Sequence, residues 1–185
     1  ANMENAIVAP PKHLESVEKA EAPLLKVETP GKKQVVTVAE FLQTTPDAII
    51  KTMIFLADGE PVAAIVRGDR EVQTVKLKNL LGVSEVESLT EEQVWSALRL
   101  PVGYIGPINL PLRVVADYEV MHMVNAVAGA NEKGYHYTGV YPARDFSVQI
   151  VGDLREATTA DPCPICGGEL YLKEGIEVSH IFKLA

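Results

Sequence analysis

The chain has 185 residues, 47% of them hydrophobic and 23% charged, with a formal net charge of −8. That composition fits one globular domain with a substantial core and excludes global disorder, while the acidic balance excludes an indiscriminate nucleic-acid binder, which needs a broad basic face. No apolar run is long enough to span a membrane and the first residues carry no basic-then-apolar leader, so a cytoplasmic setting is expected; both cysteines fall in one Cys163-Pro-Ile-Cys166 unit, which excludes a disulfide framework.

In chain order, residues 1–22 form a connector, broken at Pro10-Pro11 and charged without an apolar face from His13 to Ala22. Leu24 to Val27 reads as a short strand ended by Pro30-Gly31, and Val35 to Leu42 as a helix started by Thr37. A second short helix is expected over Thr45 to Ile50, with Pro46 at its first position, where a missing N–H costs nothing. Thr52 to Leu56 and Pro61 to Val66 flank Asp58-Gly59, a strong hairpin signal. Val72 to Leu81 has helical spacing closed by Gly82. Thr90-Glu-Glu-Gln93 is a capping box that opens a helix running to about Leu98.

From Pro101 the chain turns to glycine, proline and short β runs: Val102 to Gly106, Leu112 to Ala116, Met123 to Ala128, Tyr135 to Tyr141 and Phe146 to Val151. Strands mixed with short helices, without regular βαβ alternation, predict an α+β domain with a mixed, curved sheet. Residues 23–160 carry this domain and residues 161–185 a Cys-x-x-Cys turn followed by a strand.

Several residues have side chains or backbone suited to chemistry. Gly129 to Gly134 is a turn rich in residues that tolerate positive φ, and the strand after it points Tyr135 and Tyr137 to one face and His136 to the other. Gly103-Tyr104-Ile105-Gly106-Pro107 is a loop whose glycines permit close approach to the main chain, or an ordinary turn. Lys51, at the junction of short helix and strand, is either a surface lysine near a helix C-terminus or a point-charge anchor for phosphate. Asp117 ends a strand, where it forms a turn or orients a polar ligand. Arg67, Arg70, Lys76 and Lys78 are the local basic cluster available for RNA. Cys163 and Cys166 are half of a zinc site; four ligands are needed, His180 is the only other ligand type nearby apart from carboxylates, and a degenerate knuckle kept as a turn is the favoured reading. No nucleophile motif and no glycine-rich nucleotide loop is present.

Together, Val27-Glu-Thr-Pro-Gly31, Ile50-Lys51-Thr52, Val66 to Val72 with Lys76-Leu-Lys-Asn79, Gly103 to Pro107, Val115-Ala-Asp117, Gly129 to Tyr137 and Gly175 to Phe182 resemble, in order, the insertion domain of bacterial-type prolyl-tRNA synthetase. The resemblance covers nearly all of the chain from about residue 22. It implies the barrel-like fold shared with free-standing trans-editing deacylases, and hydrolysis of alanine mischarged onto the proline tRNA. It further implies Lys51 as the lysine on the terminal adenosine's phosphate, Asp117 as a pocket carboxylate and His136 as a positioner of the aminoacyl group. Substrate contacts are implied for Gly103, Tyr104, Ile105, Gly106, Pro107, Asp69, Lys76, Asn79 and Gly129. The two ends, Ala1 to Ala6 and Gly175 to Ala185, resemble the segments that leave and re-enter the synthetase core. That core would hold ATP and Mg and form a homodimer; editing itself is expected to need no cofactor. Ser179 stands where the family usually has glycine, a departure that bears on the proline-activating core.

An aminoacyl ester is already activated, so positioned water and excluded bulk solvent suffice without nucleophile or metal. The resemblance implies that the tRNA's own terminal hydroxyl assists. Two other readings stay open: a catalytically silent insertion that binds the tRNA acceptor end, and a zinc-stabilised structural module.

Overall fold

Asp58 and Gly59, both at positive φ (+47° and +85°), close a two-residue hairpin between β2 (Ile49–Ala57) and β3 (Glu60–Arg67), the longest paired strands of the molecule. The Asp58 carboxylate also accepts the main-chain N–H groups of Ser84 and Glu85, which brings β4 (Val86–Ser88) onto the end of β2. The computed structural model describes residues 6–10 and 22–171. Its other strands are β1 (Leu25–Glu28), β5 (Arg113–Asp117), β6 (Ala126–Gly129), β7 (Tyr135–Val140) and β8 (Ile150–Gly152). Helices are α1 (Val35–Phe41), α2 (Thr74–Leu81), α3 (Glu91–Leu98) and the single turn α4 (Pro142–Asp145).

The strands form one eight-stranded sheet in the order β1-β7-β6-β2-β3-β5-β8, with β4 paired to β2 beside this path. Pairing is mixed: β2 runs antiparallel to β3 but parallel to β6, and β5 is parallel to both β3 and β8. The α+β class expected from the sequence is therefore what the chain adopts. The sheet is open, with β1 and β8 at its two ends.

β3 is the buried middle, and its residues 63–66 are shut off from solvent on both faces, as expected for a strand covered on each side. Ala63 and Ile65 face a core shared with Ile50, Ile54 and Ala116, which α3 covers through Val94 and Leu98. Ala64 and Val66 face the other way, onto Phe55, Val115 and Leu77 of α2. Alternation along each strand thus builds two cores from one sheet.

The capping box of α3 forms as expected, Gln93 N–H donating to Thr90 Oγ1 and Thr90 N–H to Gln93 Oε1, and Gly82 closes α2 at φ +67°. Other expectations need correction. Only Pro46–Ala48 is helical, as a 3-10 turn, because Ile49 and Ile50 pair in parallel with Val127 and Ala128; Lys51 therefore lies inside β2. α1 is preceded by Gln34, and Thr37 lies inside it, its hydroxyl donating to the Gln34 carbonyl. Val72 bridges Arg155, which delays α2 to Thr74. Val102 to Gly106 is a loop rather than a strand, since Gly103 sits at φ +89° and Gly106 packs against main chain.

Candidate functional site

The parallel start of β2 on β6, together with β7 beyond it, brings Lys51, Thr52, Gly129 and His136 to one place. The loop after α3 folds over them. Asn131, in left-handed conformation at φ +57°, clamps that loop three times: its N–H donates to the Tyr104 carbonyl, its Oδ1 accepts from Gly106 N–H, and its Nδ2 donates to the Ile108 carbonyl, all at 2.8–2.9 Å. The two segments touch through glycines. A Cβ on Gly106 would stand 1.9 Å from the Gly129 carbonyl oxygen, and one on Gly129 would stand 2.3 Å from that of Tyr104. Glycine is required here by close approach of backbones.

Between them lies a cavity of about 60 Å³ lined by Val35, Val38, Ile50, Ile105 and His136 together with Lys33, Ile49, Lys51, Thr52, Gly103 and Gly129. His136 is 4% exposed. Its Nδ1 lies 2.6 Å from the Thr29 hydroxyl, itself fully buried, and its ring is tilted against Tyr104 with centroids 5.5 Å apart. Burial lowers the imidazole pKa to about 4, against the opposing effect of a hydrogen bond to the Gly103 main chain, so the ring is neutral at physiological pH. Lys51 Nζ donates to Glu71 Oε1 at 2.7 Å; Glu71 is largely in solvent.

Thr52 Oγ1 is buried and has no protein hydrogen-bond partner. Among the described residues Arg155 Nε is the other such atom, and it stands 3.0 Å from Glu119. Thr52 itself lines the cavity that His136 lines. Buried polar groups are nearly always satisfied, so an unmatched one beside a neutral histidine is a place for a ligand's polar atom.

The structure gathers Lys51, Gly103, Ile105, Gly129 and His136 from the sequence-predicted set around this cavity, with Tyr104, Gly106 and Pro107 in the covering loop. It does not bring the others there. Asp117 is buried with Oδ1 accepting from Glu119 N–H and Oδ2 from Leu154 and Arg155 N–H, and it borders a separate cavity with Val8, Pro10 and Arg155. Burial raises the Asp117 pKa, the main-chain donors opposing it. Lys76 is buried, its ammonium donating to both Asp153 oxygens at 2.9 Å and to the Arg155 carbonyl. Asp69 is paired with Arg67, and Asn79 is exposed on α2. The basic cluster is thereby largely matched: Arg67 to Asp69, Arg70 to Glu119 and Lys76 to Asp153, with Lys78 exposed. Gly167 N–H and Cys163 N–H bond across the Cys163 to Gly168 turn. Among the described residues no group of three His, Cys, Asp or Glu side chains is placed to hold a metal; His180 and the expected strand from Gly175 lie outside them.

Thr29, Thr52 and Asn131 were not singled out by sequence reasoning about the site. Thr29 and Thr52 lie within matched motifs, and Asn131 within the glycine-flanked turn, but their roles depend on partners distant in the chain.

A family model described as the aminoacyl-tRNA editing domain matches residues 29–146, which hold Lys51, Thr52, Gly129 and His136. Proline--tRNA ligase of Desulfotalea psychrophila is 55% identical over all of this chain, and that of Maridesulfovibrio salexigens 47% identical over all of it. The chain spans 32% of the length of each of these relatives. Among solved structures, one described as a candidate trans-editing enzyme for prolyl tRNA synthetase superposes with a TM-score of 0.63 at 21% identity, covering 72% of this chain and 87% of that one. The hypothetical protein APE2540 superposes at 0.62 with 23% identity, over 72% of this chain and 91% of that one, and both likenesses bear on fold alone. The chain belongs to the aminoacyl-tRNA editing domain family, as a deacylase domain of the kind that proline-tRNA ligases carry.

Proposed function

We propose that the His136 cavity hydrolyses the ester of alanine mischarged onto the proline tRNA. What carries this reading is the meeting, in a cavity of about 60 Å³, of a neutral His136, an unmatched Thr52 hydroxyl, the Gly103–Gly129 main chain and Lys51. A proline-activating site rejects a smaller amino acid poorly, since a missing methylene is worth only about 1–3 kcal/mol. A second cavity small enough to admit alanine and exclude the proline ring restores the difference by size.

In this scheme Lys51 leaves Glu71 for the phosphate of the terminal adenosine. Thr52 accepts a hydrogen bond from the attacking water and holds that water against the acyl carbon, with the tRNA's terminal hydroxyl assisting. The water oxygen bonds to that carbon, the carbon–oxygen bond to the ribose breaks, and the proton passes to the ribose oxygen. His136, braced by Thr29, forms the wall that orients the aminoacyl group; an imidazole whose pKa is about 4 is too weak a base to be the main proton acceptor. The proposal extends to the setting: a cytoplasmic proline-tRNA ligase, whose homodimeric core binds ATP and Mg and charges the tRNA.

The test compares release of alanine from Ala-tRNA(Pro) with release of proline from Pro-tRNA(Pro), in the presence of a chelator. Preferential and chelator-resistant alanine release is expected. Binding of tRNA without release of alanine would leave only a silent acceptor-binding module.

A further inference from the structure

We propose that the cavity beside Trp95 takes the terminal nucleobase of the same acceptor strand whose aminoacyl ester enters the His136 pocket, an inference that rests on the editing reading above. The cavity is larger, about 180 Å³, and mostly apolar, with Trp95, Leu100, Pro101, Val102 and Tyr104 as its walls. Flat, apolar and aromatic is what a nucleobase face needs.

Trp95 is the chain's single tryptophan and is 50% exposed in the middle of α3, whose buried residue is its neighbour Val94. The Arg99 guanidinium stands 5.9 Å from the indole centroid, so the ring already carries a cation on one side. Stacking of a base removes water from the indole and places the base within reach of that cation. Lys33 and Lys133 line the same cavity, opposed by Glu91, which pairs with Lys33 at 2.5 Å. Counting Arg99, the positive groups outnumber the negative one, in a chain whose net charge is −8. That local reversal suits the phosphate that accompanies the base.

Continuity fixes which base. Lys33 lines both cavities, and Tyr104, a wall of the Trp95 cavity, is in ring contact with His136 of the other. The aminoacyl ester and the terminal base hang from one ribose, so two adjoining cavities, a small one that holds Lys51, Thr52 and His136 and a larger one walled by Trp95 and apolar side chains, match the two ends of a single aminoacyl nucleoside.

The experiment measures KM and kcat for deacylation of Ala-tRNA(Pro) by the wild-type chain, Trp95→Ala and Trp95→Phe. Trp95→Ala is expected to raise KM about tenfold with kcat within about twofold, and Trp95→Phe to recover most of the loss, in line with base–aromatic stacking. Because Trp95 is the only tryptophan, adenosine 5′-monophosphate is expected to quench the fluorescence of the wild-type chain saturably, a readout independent of hydrolysis. An active wild type with KM unchanged in Trp95→Ala overturns the inference and leaves the editing reading standing. Saturable quenching in a chain that releases no alanine would refute the editing reading while supporting the base site. Absence of both overturns both.

Discussion

Thr29 Oγ1, just after β1, and His136 Nδ1, in β7, lie 2.6 Å apart, both side chains buried, and share one hydrogen although 107 residues separate them in sequence. Burial holds the imidazole neutral, and neutrality has a thermodynamic signature. Its pKa falls from 6.5 to about 4 on folding, so between those values the unfolded chain binds more protons and stability declines as pH falls. The contribution is complete above pH 6.5 and is lost on acidification toward pH 4. Going from about pH 7 to about pH 5 should remove roughly 2 kcal/mol through this group. Urea unfolding of the wild type and of His136→Asn at both pH values checks it: the variant's dependence should be flatter by that amount.

Lys51 is engaged by Glu71, a residue 70% exposed, and a phosphate must displace that carboxylate. Lys51→Ala should lower kcat/KM for Ala-tRNA(Pro) at least tenfold, as expected for a lost charge-assisted contact. Glu71→Gln should move the other way, lowering KM a fewfold by releasing the ammonium. Steady-state kinetics on the two variants decide it, and a Glu71→Gln enzyme with a raised KM would assign Glu71 to the site itself.

Thr52→Val replaces a hydroxyl by a methyl group of the same shape. Since Oγ1 has no protein partner, stability should hold or rise by about 1 kcal/mol. Hydrolysis should nevertheless fall at least tenfold in kcat, and Thr52→Ser should keep much of it. Thermal unfolding paired with single-turnover deacylation separates the two effects. A Thr52→Val enzyme with full kcat removes the hydroxyl from the mechanism.

Asn131→Ala deletes the amide that bonds Gly106 N–H and the Ile108 carbonyl. The expected loss is about 2 kcal/mol of stability, from two partly buried main-chain groups left unmatched. Loss of alanine-over-proline selectivity should accompany it, because the covering loop is then free to recede. Denaturant midpoints and the ratio of alanine to proline release measure both.

Local signals reported local structure well. Asp58-Gly59 specifies a hairpin and Thr90 to Gln93 a helix start because each feature is settled by residues within a few positions. Ile49 and Ile50 read as helix until the parallel pairing with Val127 and Ala128 decides otherwise, and that pairing joins distant segments. For the same reason β4 escaped notice: its three residues are held by β2 and by the Asp58 carboxylate. The site follows the same rule. His136 and the Gly103 loop announce themselves through residue type and glycine spacing, whereas a lone Thr52 or Thr29 looks like any strand or turn threonine. Asp117 and Lys76 carry suggestive charges, yet Leu154 N–H, Arg155 N–H and Asp153 occupy them, and those partners became visible only in the folded chain.

The contact of Gly106 with Gly129 limits how this cavity can change over generations. A wall made of two touching main chains has no side chain to trim or enlarge, and any residue beyond glycine at either position forces the segments apart. Accumulated single substitutions can therefore reshape what the cavity admits only from its other sides, for instance at Val38, Ile50 or Ile105. Each of these is also buried in the domain's packing, so widening the cavity there removes core volume as well. Selectivity and foldability are inherited together, and a lineage seeking a larger substrate must give ground on one to alter the other.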